Sequence, residues 1–330
     1  MSAESLDEAD QPAGPDPGLP PPWFSQGLAA VSSLRASLDG PIAARLDRFF
    51  ARFSDMNRGQ PLEASLRAPS ATPFVRLFEA YRADIGASPS DPRLLAIGEG
   101  TLLLYFYLRV QDDIVDEPTL ADRGDVYTME VLSSASVRAF GCAVGEHRGF
   151  FEFRERVLRS FATAAAWEVD VAWSGGPSFS ASEPVLSFLG RKFLPLAVPL
   201  GALAFLAGRG ADAAQIEAFV VELGSGLQIV NDVLNVAEDH AAKRVSPILR
   251  RLYEDGRATT STPGGVVRAL LLSGSTFDEA MESARSQLAA AADTALRMGA
   301  GALALEARAR IGFLDRVPSM LLSLCLGGGS

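Results

Sequence analysis

The chain has 330 residues, 48% of them apolar and 21% charged, enough to bury a substantial core and too apolar for disorder throughout. Against 40 Asp and Glu stand 30 Lys and Arg, a formal net charge of −10 that argues against nucleic acid or an anionic membrane as the general partner. Two cysteines (Cys142, Cys325) and two histidines (His147, His240) leave little for a Cys/His metal site or a disulfide framework, so any polyanionic ligand must be met by a hard metal or a local basic cluster.

The first 22 residues hold Pro12, Pro15, Pro17, Pro20, Pro21 and Pro22 behind an acidic start, and read as a disordered tail without the basic and apolar regions of a signal peptide. From Trp23 the pattern is helical, with apolar residues at three- and four-residue spacing and no sustained alternation of β-branched residues. Helices are predicted over 27–55 and 72–84, then over 93–117, where Ser90-Asp91-Pro92 supplies a cap and first-turn proline and Pro118 the stop. Further helices are predicted over 125–142, 148–173, 184–208, 212–240, 276–299, with Thr276 and Glu279 as a capping box, and 301–325. The apolar run 193–208 contains Pro195 and Pro199 and falls short of the roughly 20 residues a bilayer span requires, so it reads as a buried helix. Breaks are short and rich in Gly, Pro and Ser, which predicts one all-α domain over 23–330, a bundle of about ten helices around an apolar cavity.

Two segments place polar groups where helical spacing would bury them. In Tyr105-Phe-Tyr-Leu-Arg109-Val-Gln-Asp112-Asp113-Ile-Val-Asp116, positions 105, 109, 112 and 116 share one helix face, with Asp113 beside them. Three carboxylates so close repel one another unless a cation neutralises them, and oxygen ligands without Cys or His suit Mg²⁺ or Mn²⁺. In the second segment Asn231, Asn235 and Asp239 stand at i, i+4 and i+8, with Gln228 one turn earlier and Asp232 and Glu238 flanking. Facing each other across a bundle, two such stripes would hold several Mg²⁺ ions with coordination positions left for a diphosphate. By periodicity alone, Tyr105 and Tyr107 read as core.

These residues resemble the class I isoprenoid synthases, and in motif detail the squalene and phytoene synthases. The first signature of that family, Tyr, Arg and a DDxxD run, matches Tyr105, Arg109, Asp112, Asp113 and Asp116; the second matches Gln228, Asn231, Asn235, Glu238 and Asp239, with Asn235 where the family has Asp. Trp167-Glu168-Val-Asp170 is similar to an acidic stretch lying between the two, and Lys243, Arg244 and Pro247 stand near a basic element of the same enzymes. The similarity covers about 95–250.

The resemblance implies a C15 or C20 allylic diphosphate substrate, such as farnesyl or geranylgeranyl diphosphate, and about three Mg²⁺ ions, with Mn²⁺ an alternative. It gives catalytic roles to Arg109, Tyr105 and Gln228 and metal ligation to Asp112, Asp113, Asp116, Asn231, Asn235, Glu238 and Asp239. Contacts to the diphosphate would come from Arg109, from Arg191 or Lys192, and from Lys243 and Arg244, Arg109 also pairing with Asp112 or Asp113. Glu168 and Asp170, two residues apart, cannot both point inward.

The expected reaction is ionisation followed by coupling to a second prenyl chain. A terpene cyclase is the alternative, because its Asn, Ser/Thr, Glu triad has the spacing of Asn231, Asn235 and Asp239. Head-to-tail chain elongation is disfavoured: Asn231 and Asn235 replace two of its acids, and its N-terminal G-G-K-R-x-R-P element is missing. The Asp-to-Asn changes also leave room for an inactive paralogue serving as an interaction subunit. A cytoplasmic location, loose membrane contact through 301–326 without a transmembrane segment, and a homodimer complete the expectations.

Overall fold

The computed structural model describes residues 21–56, 73–116, 124–173 and 188–327; residues 1–20 of the tail predicted over 1–22 and the stop at Pro118 lie outside them, while Pro22 of that tail is helical. Among the described residues there are fourteen α-helices and no strand, as the periodicity predicts. They fall into two compact units, one from the described parts of Gln11–Arg154 with Val198–Ala211, the other from those of Glu155–Ala197 with Asp212–Ser330.

The first unit contains α1 (Pro22–Ala36), α2 (Gly40–Met56), α3 (Pro73–Asp84), α4 (Pro92–Asp116) and α5 (Asp125–Val144), together with the start of α6 (Arg148–Trp167) and most of α7 (Ala197–Leu206). Pro22 opens α1 at a position where its missing N–H costs nothing. The helix predicted over 27–55 is in fact two, because Ser37 to Asp39 leave helical geometry ahead of Gly40-Pro41. α4 is the central rod. Asp91 caps it by accepting from the Arg93 amide at 2.8 Å, and small residues let its neighbours close in. At Gly98 a Cβ would stand 2.8 Å from the ring of Trp23 on α1. At Gly100 one would press on Phe140 of α5, whose Ser136 hydroxyl donates to the Gly100 carbonyl at 2.9 Å.

The second unit contains the remainder of α6 and a π-helical turn at Glu168–Trp173. A 3-10 turn at Arg191–Leu196 follows, and then α8 (Ala213–Leu234), α9 (Val236–Ala241), α10 (Pro247–Glu254), α11 (Gly264–Leu272), α12 (Ser275–Arg297), α13 (Gly301–Leu314) and α14 (Val317–Gly327). Four predicted runs are divided, that over 184–208 by the 3-10 turn at Arg191–Leu196. The run over 212–240 breaks at Asn235, whose φ of −96° and ψ of 10° leave the helical region. That over 148–173 widens into the π turn, and that over 301–325 breaks at Asp315 and Arg316. The capping box is also corrected: Gly274 is the N-cap of α12 and makes no side-chain cap bond, while Thr276 lies inside the helix, 4% exposed. α10 and α11 were not anticipated, although Ser246-Pro247 forms a regular cap whose hydroxyl accepts from the Leu249 amide.

Two helical stretches, Phe188–Leu206 and Gly210–Leu234, are long and apolar enough to cross a membrane, but 72% of the first and 56% of the second are buried within the protein. Burial of that extent is what core helices require.

Candidate functional site

In the first unit the acidic run occupies the last two turns of α4, where unsatisfied carbonyls already present negative potential. Carboxylates there need cations, and each described one has found an arginine. Arg109 Nη1 stands 3.1 Å from Asp112 Oδ2, an i,i+3 pair whose acid is 56% exposed. Arg52 of α2 donates to Asp113 Oδ2 at 3.2 Å, and Asp113 is only 12% exposed. Asp116 ends the helix, and its side chain lies outside the described residues.

Tyr105 is 9% exposed and edge-on to Phe74 and Phe106 at 5.5 Å, and Phe106 in turn packs edge-on against Phe49 and Phe50. Tyr107 is half-buried and its phenol is pushed up by burial, an effect that Arg154 opposes. Periodicity correctly places both rings in or near the core.

The second unit holds a different kind of cluster. At Gly190 an added Cβ would meet the Val221 carbonyl at 2.5 Å, and at Gly224 the Gly190 carbonyl at 2.6 Å, so these two glycines allow the Arg191–Leu196 turn to lie on α8. Lys192 from that turn pairs with Glu168 at 2.5 Å. The π turn begins at Glu168 and turns that carboxylate inward, 13% exposed, while Asp170 is exposed. Arg191 is exposed, its guanidinium 5.3 Å from the Phe188 ring centroid.

Asp232 is the centre of this cluster. It is 2% exposed and accepts from Gln228 Nε2 at 2.7 Å through Oδ1, while Oδ2 is buried and has no hydrogen-bond partner among the described residues. Burial pushes its carboxyl up to about 8, the nearby charges of Asp239 and Glu168 add to the rise, and Gln228 and Lys192 oppose it. Asp239 is raised to about 6, first by burial, against the pull of Arg244 3.3 Å away.

Lys243 is exposed and adopts φ 60°, a left-handed conformation that a lysine takes at some cost. Its turn follows α9, with the Arg244 amide bonded back to the Asp239 carbonyl at 2.8 Å, and this brings the Arg244 guanidinium onto the Asp239 carboxylate.

The Asn231–Asn235–Asp239 stripe is only partly inward. Asn231 is exposed, and its Oδ1 accepts from Asn235 Nδ2 at 2.9 Å. The inner face of α8 is Gln228 and Asp232. Glu238 turns to Arg268, accepting at 2.9 and 3.0 Å. Sequence reasoning missed the burial of Asp232 and the parts played by Arg52, Arg268 and Asp125. Asp125 had one available signal, an acid in the first turn of a predicted helix.

Among the described residues no three His, Cys, Asp or Glu side chains stand close enough to form a metal cage. The donors nonetheless suit Mg²⁺: they are hard oxygens, one buried carboxylate oxygen is unpartnered, and Mg²⁺ is ordinarily held by one or two carboxylates plus substrate phosphates and water.

No protein-family model matches the sequence, and no curated relative matches it. Solved structures do. A polyprenyl synthase from Caulobacter crescentus, complexed with calcium and isoprenyl diphosphate, superposes with TM-score 0.61 at 14% identity, over 86% of this chain and 94% of that one. A geranylgeranyl pyrophosphate synthetase from the archaeon Geoglobus acetivorans gives 0.57 at 15%, over 86% and 99%, and an octaprenyl pyrophosphate synthase from Helicobacter pylori 0.55 at 12%, over 85% and 98%. The chain therefore has the all-α isoprenoid synthase fold. The structures it is similar to are prenyl diphosphate synthases, the head-to-tail branch that the sequence disfavours.

Proposed function

We propose that the protein is a Mg²⁺-dependent prenyltransferase that ionises an allylic prenyl diphosphate and joins the resulting cation to a second prenyl chain. The observation that carries this reading is Asp232, a fully buried carboxylate with one oxygen unpartnered among the described residues, set beside Glu168, Asp239 and two cationic side chains on a helix whose Ile229, Val230 and Val233 are buried. Such a cluster is costly to bury unless it handles a charged ligand. Likeness to prenyl diphosphate synthases supports the same reading.

The residues that would hold Mg²⁺ are Asp112, Asp113 and Asp116 in the first unit and, separately, Asn231, Asn235 and Asp239 in the second. Bound there, the metal would neutralise the diphosphate and stabilise the charge growing on departing pyrophosphate. Arg109, in the first unit, presents a guanidinium fork suited to phosphate oxygens. Within the second unit Lys192 and Arg244 place positive charge beside Glu168 and Asp239. Gln228 holds Asp232 through one oxygen and leaves the other for a ligand.

The acceptor distinguishes three chemistries. Coupling of two allylic chains follows the Tyr105, Arg109 and Gln228 signatures, elongation by a homoallylic diphosphate follows the fold neighbours, and cyclisation follows the Asn231–Asn235 spacing. Incubation with farnesyl or geranylgeranyl diphosphate, alone and with isopentenyl diphosphate, separates them by product mass. A dimer-sized hydrocarbon supports coupling, a diphosphate one isoprene unit longer elongation, and a monomer-sized hydrocarbon cyclisation; no product with any substrate overturns the proposal and favours the inactive paralogue. A homodimer and a cytoplasmic location remain part of this proposal. So does loose membrane contact near the C-terminus, where Leu305 and Leu322 are exposed.

A further inference from the structure

Arg52 stands between two carboxylates. Its Nη2 is 3.2 Å from Asp113 Oδ2 and 3.9 Å from Asp125 Oδ2, and Asp125, in the first turn of α5, is 8% exposed. Arg45 reaches the other Asp125 oxygen at 3.5 Å. It passes so close to Gly124 that any side chain there would collide with its guanidinium. The two acids differ in what else supports them. Asp113 lies near the carboxyl end of α4, where the helix dipole opposes it, whereas Asp125 lies at the amino end of α5, where the dipole favours it and Arg45 already helps.

We propose that Arg52 is a positioning residue that stands in for a divalent cation: it neutralises Asp113 in the metal-free protein and transfers to Asp125 when Asp113 takes up metal. This rests on the reading of Asp113 as a metal ligand. A divalent ion approaching Asp113 must displace a guanidinium already bonded there, and Asp125 is a second acceptor that the same nitrogen reaches without leaving the cluster. Arg52 therefore competes with the metal, and Asp125 lowers the cost of that competition. The two residues then have opposite effects on metal affinity, which a simple structural ion pair would not produce.

The test is Mn²⁺ binding to the metal-free full-length chain, read from the electron paramagnetic resonance of free Mn²⁺, with circular dichroism as the check on folding. Arg52→Gln is expected to tighten Mn²⁺ binding about threefold to tenfold and Asp125→Asn to weaken it by a similar factor, with the double variant following Arg52→Gln. Asp113→Asn should abolish the Arg52-sensitive binding. If the wild type binds through Asp113 but Arg52→Gln leaves affinity unchanged or weaker, this inference fails and the metal-ligand reading stands. If the wild type binds no Mn²⁺, both fall. Should Asp125→Asn not fold, the sign of the Arg52→Gln effect decides alone.

Discussion

The acidic end of α4 and the acidic cluster of α8 and α9 are built from the same residue types and solve opposite problems. On α4 the described acids are individually matched, Asp112 to Arg109 and Asp113 to Arg52, and Asp112 remains open to solvent. Around α8 the central acid is sealed from water, its carboxyl raised to about 8, and the amide of Gln228 holds only one of its oxygens. The first arrangement supplies carboxylates whose arginine partners a cation can replace; the second supplies oxygen and amide donors in an environment that disfavours charge. Asn231 on α8 and Asn235 at its end therefore add oxygen donors without adding further negative charge near Asp232.

This difference can be broken by substitution. The largest effect is expected at α4: Asp112→Ala should lower turnover of farnesyl diphosphate about 10²- to 10³-fold with little loss of stability, because an exposed acid does little packing. Pyrophosphate release, together with urea denaturation, checks both halves. At the buried cluster Asp232→Ala should instead lower stability by about 1 to 3 kcal/mol, since the Gln228 amide, itself 6% exposed, loses its acceptor; urea denaturation measures it. Gly224→Ala should cost about 1 to 3 kcal/mol by pressing on the Gly190 carbonyl and Phe193, and should impair activity by displacing the Lys192 turn. The smallest effect is expected at Gly141→Ala on α5, where a new Cβ meets nothing within 4 Å; thermal unfolding should show a gain of about 0.5 to 1 kcal/mol.

The α4 region was largely legible in the sequence, because four-, three- and four-residue spacing from Tyr105 to Asp116 fixes a single helix face and a proline-led cap fixes its start. The α8 region was legible in composition but not in phase. With Ile229, Val230 and Val233 buried around it, the helix gives no polar side from which to tell Asn231 from Asp232, and tertiary packing chose Gln228 and Asp232 for the interior. The break at Asn235 carries neither Gly nor Pro; it is marked by the Asn235–Asn231 side-chain bond and by a backbone that leaves helical geometry. Arg52 was invisible for another reason, since its partners Asp113 and Asp125 are 61 and 73 residues away along the chain.

The central claim is that oxygen donors in these regions bind a prenyl diphosphate together with divalent metal. Calorimetric titration with a thiolo analogue of farnesyl diphosphate, which resists ionisation, tests it most directly. The account predicts saturable binding that requires Mg²⁺ and is lost in Asp112→Ala; binding that is equally tight without metal, or no binding in its presence, would contradict it.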